Sequence, residues 1–97
     1  MENKVNLTDM LSRVKSVTYT RMFDDRTTFC CLEMVNGYSV WGKSACVDAA
    51  NYNQALGEKY AYEDAVNQLW PLEGYLLAEH LYLVNKENKV FDRPKNN

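Results

Sequence analysis

Nucleophilic catalysis needs an activated side chain with a base in reach. This chain has three cysteines, Cys30, Cys31 and Cys46, and one histidine, His80. Spacing leaves a Cys46–His80 dyad open, but no flanking signature accompanies it. Cys46 therefore reads as a small buried apolar residue, and His80 as a surface or partner-satisfied imidazole. The same four residues match a Cys₃His zinc set in number only, because adjacent Cys30 and Cys31 lack the two-to-four-residue spacing of a ligand pair. Gly37, Gly42, Gly57 and Gly74 are isolated, so no phosphate-cradling loop is present. The sequence predicts no catalytic residue, no metal and no cofactor.

Binding is the better-supported kind of chemistry. Glu73 and His80 stand seven residues apart, on one helical face about two turns from each other. A carboxylate on an apolar stripe is costly to bury unless it is paired. Glu73 is expected either to satisfy free helix N–H groups just after Pro71 or to receive a basic or polar group from a partner. Tyr52, Leu56 and Tyr60 flank the main apolar arc of the preceding helix, either as the edge of the core or as a face offered to a second chain. Arg21, Tyr38 and Trp41, on strands, complete a candidate partner-binding surface with Tyr52 and Tyr60.

Elements must position these residues. Thr8 is expected to cap a short helix carrying Met10, Leu11 and Val14. A first strand follows from Ser16 to Phe23, with a turn at Asp24–Arg26 and a second strand over 27–35. Asn36-Gly37 predicts a two-residue hairpin turn into a third strand over 38–43. That register pairs Leu32 with Trp41 and Glu33 with Val40. It puts Cys30, Leu32, Met34 and Trp41 on one sheet face, and Phe29, Cys31, Val35, Tyr38 and Val40 on the other. Asp48 or Asn51 caps a long helix from about 51 to 70, in which Gly57 marks close packing against another backbone or a late start. Pro71 predicts a break or kink, and a shorter final helix to about Val84. The expected fold is α+β: a three-stranded antiparallel sheet on one long and one shorter C-terminal helix, with a short N-terminal helix. Residues 1–84 form the single domain, and 85–97 a mobile polar tail.

Bulk properties narrow the function. The 97 residues suit one domain, and scattered basic residues at a net charge of −2 argue against general phosphate-backbone binding. An odd cysteine count argues against a disulfide framework and for a reducing cytoplasm. No segment reads as a signal sequence or membrane span.

Asn36-Gly37, Ser44-Ala45-Cys46-Val47-Asp48 and the run Trp70-Pro71-Leu72-Glu73-Gly74-Tyr75-Leu76-Leu77 carry a likeness. Over Val17 to Leu83 the chain resembles the gene-49/gene-66-like family of small tailed-phage proteins. Ala49, Tyr52 and Trp41 depart from residues common in that family, which singles out Trp41 as particular to this chain. The resemblance implies a phage accessory protein acting in the host cytoplasm. Its expected partner is a host bacterial protein, such as a defence effector, CRISPR complex or nuclease, which it binds and inhibits without catalysis. A homodimer is one expected form. The alternative is an oligomeric sponge that sequesters a nucleotide-like signalling molecule, where Tyr or Trp stacking and an Arg would suit the ligand. A cysteine-based enzyme ranks third.

Overall fold

The hairpin at Asn36-Gly37 decides which side chains reach the core. The computed structural model describes residues 6–88. In order, these form α1 (Leu7–Ser12), β1 (Val14–Arg21), β2 (Thr27–Met34), β3 (Ser39–Ala45), a 3₁₀ turn (Ala49–Asn51) and α2 (Gln54–Asn88). The strands make one antiparallel sheet in the order β1-β2-β3. The fold class is as expected: α+β, with three strands, a short N-terminal helix and a long C-terminal one.

The hairpin loop has three residues rather than two. The Gly37 amide donates to the Met34 carbonyl at 2.9 Å and the Met34 amide to the Tyr38 carbonyl at 2.7 Å. Gly37 alone in the loop has positive φ, at 91°, which is the left-handed residue closing a type I turn in three-residue hairpins. Pairing is therefore Leu32 with Val40, Cys31 with Trp41 and Cys30 with Gly42. A shift of one residue moves every side chain of a strand to the opposite face. Val40 joins Cys30, Leu32 and Met34 beneath the helix, and Trp41 moves to the open face with Phe29 and Cys31, correcting the expected placement of both.

The core is small and made of close contacts. Met10, Cys30, Leu32, Met34, Val40, Ala61, Ala65 and Leu69 are buried together. Ala61, Ala65, Leu69 and Glu73 recur every four residues, so they lie on one face of α2. That face covers β2 and β3, leaving Val17 and Tyr19 of β1 partly exposed. Gly57 falls in the first turn of α2, where an added Cβ would press on the Thr28 side chain. Of the two expectations for this glycine, the late helix start holds, and the close packing is against the Thr28 side chain instead of another backbone.

The expected break at Pro71 is absent. α2 runs 35 residues through it, about 52 Å at 1.5 Å per residue. Proline removes one N–H from the ladder, yet Leu69 and Glu73 are both anchored on the same packed face, and this holds the two halves in phase. The helix also continues past Val84 to Asn88, into the segment expected to be tail. The rest of that tail, 89–97, and the first five residues lie outside the described residues. α1 is capped by Asn6, whose side chain accepts from the Asp9 amide, rather than by Thr8. Asp48 caps the 3₁₀ turn, and the Asn53 side chain accepts from the Leu56 amide at the start of α2.

Candidate functional site

The strongest local chemistry gathers where the β1–β2 turn meets the start of α2. Asp24 organises the turn: one carboxylate oxygen accepts from the amides of Arg26 and Thr27 at 2.9 Å each, and the other from the Thr27 hydroxyl at 2.7 Å. These bonds, led by the Thr27 hydroxyl, hold its carboxyl down at about 2. Arg21, at the end of β1, places its guanidinium carbon 4.0 Å over the ring of Tyr52. The Tyr52 hydroxyl shares a 2.7 Å hydrogen bond with the buried Thr28 hydroxyl. Tyr52 is thus fixed at its rim by Thr28 and covered on its ring by Arg21.

Tyr52 also lines a notch of about 190 Å³ with Arg26, Ser44, Cys46, Asn53 and Tyr60. Arg26 donates to the Val47 carbonyl at 3.3 Å, and Ser44 to the Gly57 carbonyl at 2.6 Å. Lys59 stands 5.8 Å from the Tyr60 ring centre. The notch therefore combines aromatic rings, amide groups and guanidinium. These groups suit a flat ring carrying a negative charge, because arginine supplies forked donors and tyrosine a stacking surface.

Three of the sequence-selected residues, Arg21, Tyr52 and Tyr60, meet here; the others do not join them. Tyr38 and Glu73 line a groove of about 370 Å³ at the opposite end of the sheet, with Met34, Val35, Leu69 and Leu76. Glu73 is buried and forms a two-point ion pair with Arg13. Its basic partner comes from within the chain, across 60 residues of sequence, and helix-start N–H groups play no part because the helix does not start at Pro71. Trp41 sits half-exposed on the open sheet face, edge-on to Phe29 with ring centres 6.5 Å apart. His80 is exposed far along α2.

Cys46 and His80 stand at opposite ends of that helix. Cys46 lines the notch beside its first turn, whereas His80 follows Gln54 by 26 residues, about 40 Å of rise. Cys30 is fully buried, which pushes its thiol up to about 11 with a smaller push from Cys31. Among the described residues, no His, Cys, Asp or Glu group of three or more is placed to hold a metal, and no helix is long and apolar enough to cross a membrane.

Sequence reasoning missed Arg13, Arg26, Thr28 and Asn53. Arg26 and Asn53 had local signals, a turn after Asp24-Asp25 and an Asn preceding a helix. Arg13 and Thr28 had none, since their partners are remote in sequence.

No curated protein and no solved structure matches the chain. Residues 5–81 match the family described as phage protein (N4 Gp49/phage Sf6 gene 66). The match covers most of the chain, including the sheet, the notch and the part of α2 that covers the core. The chain belongs to this phage protein family.

Proposed function

We propose that this phage protein is a non-catalytic accessory factor that sequesters a small nucleotide-like signalling molecule of the host. The observation that carries the reading is Tyr52, which lines the notch and carries the Arg21 guanidinium on its ring. A cation fixed on an aromatic ring, with Arg26 and Tyr60 across the same depression, matches a ligand with both an aromatic base and phosphate. The notch holds about 190 Å³, below the ~300 Å³ of the smaller drug-sized pockets. It therefore takes one base or sugar-phosphate portion of such a ligand. Capture without turnover accords with Cys46 lacking His80 as a base.

The direct test is the identity of small molecules released by heating protein purified from bacteria, backed by calorimetric titration with a panel of nucleotides and cyclic dinucleotides. Binding that disappears in Arg21→Ala, with the fold intact, supports the reading. A protein that carries nothing and binds none of the panel counts against it.

A second reading has its own support: occlusion of a host protein by the open sheet face. Trp41 is 54% exposed there, beside Phe29, and a rigid exposed aromatic is a common interface anchor. Pull-down from host lysate with wild type and Trp41→Ala separates the two. Capture of a defined host protein that depends on Trp41 and not on Arg21 favours occlusion.

A further inference from the structure

The two edges of the sheet are finished differently. Strand order β1-β2-β3 leaves β1 and β3 outermost. An edge strand presents backbone N–H and C=O groups that can pair with another chain. Along β3 those groups are taken. The Lys43 amide donates to the Asp64 carboxylate at 2.9 Å, and the Gln68 side chain donates to the Trp41 carbonyl at 2.5 Å. Asp64 and Gln68 stand about one turn apart on α2, so the helix closes that edge.

β1 has no such cover. Bonding in an antiparallel ladder alternates along each strand. The Met34 amide donates to the Tyr38 carbonyl, which turns Met34, Leu32 and Cys30 toward β3. Phe29 and Cys31 therefore turn toward β1, where their partners are Thr20 and Thr18. The Met22 amide, which donates to the Thr27 carbonyl, fits the same alternation. The N–H and C=O groups of Val17, Tyr19 and Arg21 consequently point away from the sheet, and among the described residues nothing bonds to them. The Val17 and Tyr19 side chains, 41% and 38% exposed, lie along this edge on the side that α2 faces.

We infer that the β1 edge takes an extended, acidic segment of a partner protein as a fourth strand. The open backbone groups define the occupant's conformation, because an extended chain matches donors and acceptors that recur every second residue. Charge defines its composition. No Asp or Glu occurs from Met10 to Phe23, and Lys15 and Arg21 flank the open stretch. Lys15 is exposed and has no ion-pair partner among the described residues, while Arg21 meets Asp25 only at 3.7 Å. Carboxylates at the two ends of an incoming strand meet these cations, and β-branched residues between them pack beside Val17 and Tyr19. The same charges argue against a second copy. Antiparallel self-pairing centred on Thr18 sets Lys15 against the partner subunit's Arg21 at each end, where like charges destabilise. The ligand reading is not needed here, because the notch is lined by no residue of β1.

The probe is a fluorescein-labelled peptide, acetyl-Glu-Val-Thr-Val-Thr-Val-Glu-amide, titrated with the full chain and followed by anisotropy. It is expected to bind with a Kd below about 1 mM, and the same peptide with Lys at both ends about tenfold more weakly. Lys15→Glu is expected to narrow or reverse that preference. Two further peptides, N-methylated at the valines or at the threonines, read out strand pairing, since only one edge of the peptide bonds to β1. One set of methyl groups is expected to abolish binding and the other to preserve it. Tyr19→Pro removes an outward N–H and leaves the β1–β2 ladder bonded, a placement that proline tolerates on an edge strand. It is expected to weaken binding by about tenfold or more with Tm close to wild type. The N-methyl comparison uses wild-type protein, so it stands even where that variant folds poorly. No binding of the acidic peptide at about 1 mM protein, or two N-methylated peptides that bind alike, overturns the inference. So does a wild type that sediments as a dimer and becomes monomeric in Tyr19→Pro, which would assign the edge to a second copy.

Discussion

Gly42 of β3 lies directly beneath Ala65 of α2, with no room for a side chain between them. A Cβ on Gly42 would run into the Ala65 amide nitrogen and the Ala61 carbonyl oxygen, both backbone atoms. Helix and strand approach this closely because glycine faces two alanines, and the sheet's cover depends on that fit. Gly42→Ala is expected to cost about 1–3 kcal/mol or more, the scale of overpacking a rigid core. Gly74→Ala, where an added Cβ meets nothing within 4 Å, is expected to be neutral or to gain up to about 1 kcal/mol through helix propensity. Urea denaturation of both variants checks the contrast.

The Arg13–Glu73 pair locks the α1–β1 junction to the far end of the packed face of α2. Glu73 is buried, while the Arg13 side chain is 41% exposed. Solvent at the arginine weakens the pair relative to a fully buried one. Arg13→Ala or Glu73→Gln is expected to lower stability by about 1–3 kcal/mol. Arg13→Met with Glu73→Met is expected to recover much of the loss, since the double change leaves no unpaired charge. Thermal melts of wild type, Arg13→Met, Glu73→Met and the double Met variant read out the coupling.

How much of this was legible in the sequence follows from the range of the forces involved. Alternation and turn chemistry are local, and they marked three strands, the Asn36-Gly37 turn and a helical stretch from about 51, which begins at Gln54. The loop's third residue was not marked. Asn36-Gly37 suits either a two-residue turn or a three-residue loop with Gly37 in the left-handed position, and that single residue decided whether Trp41 or Val40 entered the core. Pro71 is a strong local breaker, yet contacts at Leu69 and Glu73 overrode it. At the candidate site, Arg21, Tyr52 and Tyr60 were selectable by residue type. Their grouping apart from Tyr38, Trp41, Glu73 and His80 depends on strand register and helix length, which only the folded chain fixes.

The Asp24 turn carries a pH signature. Its carboxyl sits at about 2 instead of 3.8, chiefly through the Thr27 hydroxyl and then the Arg26 and Thr27 amides. A group depressed in the folded state stabilises fully above its unfolded pKa and loses that contribution as pH falls through the folded value. Asp24→Ala is therefore expected to melt below wild type at pH 6, with the gap closing between about pH 4 and pH 2. A gap that stays constant through that window would mean the carboxylate's charge contributes nothing.

Thiol reactivity should divide the cysteines. Cys30 is fully buried with its thiol held at about 11, whereas Cys31 and Cys46 are partly accessible. At mildly alkaline pH a disulfide reagent is expected to modify Cys31 and Cys46 first and Cys30 only on unfolding. Equal rates for all three would contradict the packing of β2 against α2.

Capture of a flat anionic ligand at the Arg21–Tyr52 corner is tested most directly by native mass spectrometry of protein freshly isolated from bacteria. The expected result is a bound, phosphate-bearing aromatic small molecule on wild type that is missing from Arg21→Ala and retained by Trp41→Ala. Bare protein in all three cases, with no uptake of added nucleotides, would contradict it.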